Sequence, residues 1–523
     1  MRERLMSRAR VETDIPCVRR VPHRYMVALM AAFSALITVG TGAAFALVIT
    51  RLSEKKNEDR VNLVFTDCTG LNAKVHLEGD MVFLLHITYF ISFSLGLVPG
   101  SILGTLFSTT EVAGWSVILF SVATWILPFA IPASIPFVFV LCIILGATEG
   151  AKQPAIMALI AAWSTKAEKT CLYGIYTTGV YTAPALSSLM TATTLCFASW
   201  DGILFIYGCV GIVWGSLWLH GFHDTPALHP NLALEEAWFL RQHGEQVQKS
   251  SVQMLRRVPW KAMLTSRGVW AVFLGSFSRN IIFAILVVHQ AQYFNDAFNI
   301  RAEDFGILSI IPNVGLGVAT MTGGLVSDKL IDMGNDRTNV RRTVFCSAYA
   351  VEGVCLAALF FVSDWRVAFG IICCGIAIGG MAVSAYAPLP SDMAPQYTSV
   401  ISGLTMTGTL GAVLITGLAA VVQTLWAWQI VFLVAGIFHL ASAVLFFFMV
   451  DARLQPWAKG KTSSTANQPR KAGNTNNSAV GQSDSEENID NYETAPLTES
   501  SEASHNDLEF GLKRDYKTID RVT

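Results

Sequence analysis

Apolar runs of membrane-crossing length alternate with short polar stretches between residues 25 and 450. At ~20 apolar residues per crossing, the alternation predicts helices over 25–50, 81–106, 112–131, 136–163, 172–197 and 200–220. After a longer polar stretch it predicts a second set over 269–294, 304–327, 344–362, 365–390, 400–424 and 427–450. The fold class read from this pattern is an all-α membrane protein of about twelve transmembrane helices in two six-helix halves. Residues 1–24 then form a cytosolic segment, 25–220 the first half, 221–268 a cytosolic central loop and 269–450 the second half. The remaining stretch, 451–523, is rich in Ser, Thr, Asn, Glu and Asp and is expected to be a disordered cytosolic tail. Within the central loop, 231–243 alternates Leu232, Trp238 and Phe239 with Glu235, Glu236 and Arg241, the pattern of a surface helix.

Charge supplies the orientation. Arg2, Arg4, Arg8, Arg10, Arg19, Arg20 and Arg24 precede the first run; Arg256, Arg257, Lys261 and Arg267 fill the central loop, and Arg337, Arg341 and Arg342 follow the eighth. These all fall on one side, and the opposite short loops near 132–135 and 425–426 carry no Lys or Arg. Basic residues mark the cytosolic side, so both termini are expected in the cytosol. The 51–80 loop, with Arg51, Lys55, Lys56, Arg60 and Lys74 on the other side, runs against the rule.

With 52% hydrophobic and 14% charged residues, the composition excludes an ordinary soluble enzyme of 523 residues. A net charge of −1 argues against a nucleic-acid partner. The cysteines lie mostly in apolar runs, Cys142, Cys209, Cys346, Cys355, Cys373 and Cys374 among them, where a thiol behaves as a small hydrophobe. Only Cys68 lies in a long polar loop, and a disulfide framework is not expected. The polar, Arg-rich first 24 residues do not resemble a cleavable signal peptide.

Ionisable residues inside apolar runs are the candidate chemistry. A charged side chain at mid-bilayer costs at least ~2.5–3.5 kcal/mol on insertion scales, so it is usually aimed into a bundle interior or a wet cavity. Glu149 and Lys152 stand in the middle of the fourth run, on one helical stripe with Cys142 and Ile156. The carboxylate suits proton exchange and the cation suits an anionic substrate, although an interior ion pair without a transport role has the same signature. Arg279, early in the seventh run, can bind a carboxylate or phosphate through two parallel hydrogen bonds. His86 in the second run can relay protons or bond a neighbouring helix. Glu352 and His439 read as packing residues. Gly146 with Gly150, and Gly375 with Gly379, permit close helix approach. No phosphate-binding Gly-rich loop ending in Gly-Lys-Ser/Thr occurs, so an ion gradient or membrane potential is the expected energy source, and no cofactor is indicated. An internal echo, Gly100-Ser-Ile-Leu-Gly104 after the second run and Gly323-Gly-Leu-Val-Ser327 after the eighth, is consistent with two related halves.

In order along the chain stand Glu149-Gly150 with Pro154-Ala155 and Trp163, then Pro226-Ala-Leu-His-Pro230, and Pro259-Trp-Lys-Ala-Met-Leu-Thr-Ser266. Gln292-Tyr-Phe294, Gly323-Gly324 with Asp328, Asp392-Met-Ala-Pro395 with Tyr397, and Gln455-Pro-Trp-Ala458 follow. In this order the motifs resemble the anion-cation symporters of the major facilitator superfamily, the group of vesicular glutamate transporters, sialin and sodium-phosphate cotransporters, over roughly residues 24–458. The resemblance implies the major facilitator superfamily fold and transport of a small organic anion by alternating access, driven by a proton gradient or membrane potential. It implies transport roles for His86, Glu149 and Arg279. Where glutamate transporters carry two further membrane arginines, this chain has Gly42 and Cys142, and the segment after Trp163 is reduced to Ser-Thr-Lys-Ala-Glu-Lys-Thr170. On this reading Lys152 partly replaces the missing positive charge.

The expected site is therefore Arg279, Lys152 and His86 for the substrate and Glu149 for proton coupling, with proton or sodium as coupling ion, in a vesicular, lysosomal or plasma membrane. A sodium-coupled phosphate transporter and a transport-inactive ligand sensor or scaffold are the alternatives. An enzyme is not expected. Tyr516-Lys-Thr-Ile519 has the Tyr-x-x-apolar form of a signal read by a sorting adaptor.

Overall fold

The computed structural model describes residues 22–53, 79–165, 168–197, 199–230, 232–244, 258–285, 289–298, 300, 307–425 and 428–458. Residues 54–78 of the 51–80 loop, the first 21 residues and the tail with the Tyr516–Ile519 motif lie outside them. Among the described residues the first set of long helices is α1 (His23–Ser53), α2 (Gly79–Leu106), α3 (Thr109–Ala133), α4 (Ile135–Trp163), α5 (Lys169–Phe197) and α6 (Gly202–Gly221). The second set is α7 (Arg267–Ala284), α8 (Ile310–Asp332), α9 (Arg337–Ala358), α10 (Trp365–Tyr386), α11 (Thr398–Met406) and α12 (Trp428–Met449). A 3-10 turn, Thr407–Thr409, carries α11 on into a further helix, Leu410–Leu425.

Among the described residues ten helical stretches are long and apolar enough to cross a membrane. Neither α5 nor α7 is one of them. On α5, Tyr173, Tyr176, Thr177 and Tyr181 turn a polar-edged face inward and are buried, while Leu186, Leu189 and Met190 are exposed. On α7 the described helix, Arg267–Ala284, is followed by Gln290–Phe298, and residues 286–288, inside the element that the sequence pattern predicts to residue 294, lie outside the described ones. At the other extreme, α9 begins seven residues before its apolar run, because Arg341 is buried rather than solvated. The surface helix is Leu234–His243, as the pattern predicts.

Packing follows the glycines. A Cβ on Gly146 or Gly150 would lie 2.4 or 2.2 Å from the carbonyl oxygens of Tyr89 and Phe93, so this face of α4 lies directly on the α2 backbone. Gly100 closes the same α2–α4 seam against Ala151, and Gly323 closes the α8–α10 seam against Met381. The echoing Gly100 and Gly323 segments therefore lie within α2 and α8 rather than after them, and each faces the corresponding partner helix. In the first set, α2 packs on α4, α1 on α5 and α3 on both α4 and α6. In the second, α8 packs on α10, and α9 on α10 and α12.

The sets meet along α5–α8 and α2–α11. Thr178 Oγ1 donates to Gly317 O at 3.1 Å, and Ser399 Oγ donates to Ser101 O at 3.1 Å. At the end of the bundle that holds His23 and Ala458, Lys169 of α5 pairs with Asp392 at 3.3 Å. Asp392 also takes Arg341 at 3.2 Å and Arg337 at 3.5 Å. One cysteine departs from the small-hydrophobe expectation: Cys196, near the far end of α5, is disulfide-bonded.

Candidate functional site

A cavity of about 160 Å³ lies between the two helix sets, walled by α1 through α5 on one side and by α7, α10 and α11 on the other. Glu149 and His86 are on its wall. Lys152 and Arg279, fully buried, are not. The four expected site residues thus separate into two wall groups and two cations lying behind the wall.

Helical spacing brings Glu149 and Lys152 together: Lys152 Nζ lies 2.9 Å from Glu149 Oε2, and Gln153 Nε2 donates to Oε1 at 3.1 Å. Lys152 also reaches across to the Thr38 hydroxyl of α1, one turn before Gly42. The carboxylate therefore meets the cavity while its counter-charge sits between α4 and α1. Tyr176 donates to Gln153 Oε1 at 2.7 Å, which fixes the amide that in turn orients Glu149.

Arg279 is paired within its own helix set. Its Nη1 lies 3.1 and 3.2 Å from the two oxygens of Glu352 on α9, and His439 Nε2 of α12 lies 3.3 Å from Glu352 Oε2. Ser278 and His439 Nδ1 are 2.7 Å apart. This adds to the packing role expected for Glu352 and His439: Glu352 is the counter-charge of Arg279, and His439 lies against the same carboxylate. The pairing joins positions 73 apart, so helical spacing could not reveal it. Gly379 is the signal that could have. A Cβ there would lie 2.0 Å from Glu352 Oε2, so α10 leaves out a side chain where the carboxylate enters. Arg279 Nε and Nη2 have no hydrogen-bond partner among the described residues. The guanidinium carbon lies 5.8 Å from the ring of Tyr181, and Tyr181 is on the cavity wall.

His86 Nδ1 is 2.8 Å from Val82 O. A carbonyl can only accept, so Nδ1 carries the proton and a neutral ring leaves Nε2 as an acceptor. That Nε2 has no hydrogen-bond partner among the described residues. Gly42 is on the wall and Cys142 is buried near it, so neither position supplies charge to the cavity.

The described residues hold no cluster of metal-ligating side chains. A largely apolar cavity between two helix sets, with one carboxylate and one imidazole on its wall, is suited to hold a solute.

Comparison with known proteins agrees. The family model described as Major Facilitator Superfamily matches residues 27–330 and 285–505. The chain is 24% identical over 452 residues to vesicular glutamate transporter 1 of Xenopus tropicalis, covering 85% of this chain and 77% of that protein. It is 24% identical over 450 residues to vesicular glutamate transporter 1 of Bos taurus (85% and 80%) and to vesicular glutamate transporter 2 of Homo sapiens (85% and 77%). These relatives are transporters and not enzymes. The chain is an integral, multi-pass membrane transporter that belongs to the Major Facilitator Superfamily.

Proposed function

We propose that this chain is a secondary active transporter that carries a small organic anion by alternating access, driven by a proton gradient or the membrane potential. The observation that carries the reading is the chamber shared by the two helix sets: rocking one set against the other would expose it to each side in turn. The similarity to vesicular glutamate transporters supports an anionic substrate. In this reading twelve helices cross the membrane in two halves of six, and the arginine-rich end with His23 and Ala458 faces the cytosol. The disulfide at Cys196 supports that orientation, because it puts the opposite end of α5 in an oxidising compartment.

Glu149 is the proton-coupling group, since its carboxylate meets the cavity and its protonation would leave Lys152 with the Thr38 hydroxyl as its remaining contact. His86 contacts the solute directly. Arg279 and Lys152 act from behind the wall, each balanced by its own carboxylate; Arg279 engages the anion by hydrogen bonding through the two nitrogens that Glu352 does not hold.

Uptake into proteoliposomes with imposed pH, sodium and voltage gradients tests this. Anion accumulation should follow the proton gradient or voltage, with loss of coupling in Glu149→Gln and loss of uptake in Arg279→Ala. Strict sodium dependence with phosphate as solute, or anion binding without flux, would overturn it. Lys152→Ala with unchanged substrate affinity would remove Lys152 from the site.

A further inference from the structure

We infer that the transported solute is a monocarboxylate with an aromatic or apolar body, and not a dicarboxylate. This rests on the transport reading above and narrows its substrate class.

Nine of the thirty residues on the cavity wall are Phe or Tyr, and among the described residues no Lys or Arg is on it. Phe45 and Phe93 approach from the first helix set, Phe283 and Tyr386 from the second, so ring faces stand on both sides of the space. Such walls favour a flat or bulky apolar body through burial and ring contacts.

The polar inventory limits the charge. The two cations nearest the chamber are each matched by one carboxylate, Lys152 by Glu149 and Arg279 by Glu352. Taking a second anionic group from the solute would need one of these pairs to break and would strand a buried carboxylate, a strongly unfavourable change. Most wall hydroxyls and amides are occupied as well. Tyr176 serves Gln153, Gln153 serves Glu149, and Asn280 Nδ2 donates to Ser276 O at 2.8 Å. His86 Nε2 remains. A neutral ring there accepts from an acid O–H, and an imidazolium donates to a carboxylate; either way one head group is matched. A dicarboxylate would leave its second head group against aromatic carbon.

The test is calorimetric binding to the purified full-length protein, with 3-phenylpropionate, glutarate and 3-phenylpropionamide as probes, alongside flux of the same probes in proteoliposomes. Phenylpropionate should bind at least ten-fold more tightly than glutarate, and His86→Gln should bring phenylpropionate toward the affinity of the amide. Phe45→Ala should weaken phenylpropionate several-fold and leave glutarate unchanged. Glutarate binding as tightly as phenylpropionate, or no binding of phenylpropionate to wild-type protein, overturns the inference, and neither outcome depends on a variant folding. Flux of glutarate in preference to phenylpropionate overturns the substrate class while leaving transport standing. Selective binding of phenylpropionate without flux supports the class and removes the transport reading.

Discussion

Replacing Glu352 with Gln is expected to destabilise the protein by ~3–5 kcal/mol, because it removes the partner of a buried guanidinium without removing the charge. Arg279 is 1% exposed and Glu352 0%, so water cannot take over the lost contact. The substituted amide can still accept from Nη1, but it no longer neutralises it. Arg279→Gln strands the carboxylate in turn, with His439 at 3.3 Å as its remaining partner. The double variant, Arg279→Gln with Glu352→Gln, leaves two neutral amides that can bond each other. Its cost should therefore fall short of the sum of the singles by ~1–3 kcal/mol. Gly379→Ala offers an independent route to the same pair: its Cβ would lie 2.0 Å from Glu352 Oε2 and push the carboxylate off Arg279. Gly370→Ala on the same helix meets nothing within 4 Å and should be neutral or slightly stabilising. Apparent melting temperatures of the five variants in detergent provide the comparison. Singles that melt with wild type, or strictly additive effects, would refute the claim that this pair holds the second helix set together.

The remaining predictions concern three other places. Asp392→Asn removes the acceptor shared by Lys169, Arg341 and Arg337, and it should raise the rate of maleimide labelling of a cysteine placed at Ser399; an unchanged rate would count against a closing role for this cluster. Gly150→Ala puts a Cβ 2.2 Å from Phe93 O and should cost ~1–3 kcal/mol through overpacking, whereas Gly221→Ala, with nothing within 4 Å, should not. His229 faces His23 at 4.2 Å and His223 at 5.3 Å between ring centroids, with Glu236 nearby, and burial and then His223 hold its pKa below 6.5. Folding then disfavours its protonated form, so its contribution is fully present above pH 6.5 and is lost as pH falls toward its folded value. Protection factors of the Leu234–His243 amides, with the intrinsic pH dependence of exchange divided out, should fall over that interval in wild type and less so in His229→Phe; a flat profile in wild type would reject the assignment.

How much of this was legible in the sequence depends on the range of the interaction involved. Helix-length apolar runs gave α1 to α4, α6, α10 and α12 to within a few residues, because lipid-facing surface has to be apolar wherever the partner lies. The Glu149–Lys152 pair was legible because both ends share one helix face. Arg279–Glu352 and Lys169–Asp392 were not, since their partners are 73 and 223 positions apart. The start of α9 was missed for the same reason: Arg341 looks like a loop cation until Asp392 and Thr170 are beside it.

The placement of charge bears on how the two sets could move. Glu149–Lys152 lies wholly in the first set and Arg279–Glu352–His439 wholly in the second, so a rigid rotation of one set against the other carries each neutral group along intact. Lys169–Asp392 and the Arg341–Thr170 hydrogen bond cross between the sets, and the same rotation has to part them. Separating them need not leave Asp392 alone, because Arg337 and Arg341 belong to its own set and stay within reach. Lys169, by contrast, sits next to Glu168, which Arg24 binds at 2.7 Å, and Glu168 is the nearby acid that could receive it. An end built this way can open without stranding a buried charge on either side, and that lowers the barrier to alternation where an isolated cross-set pair would raise it.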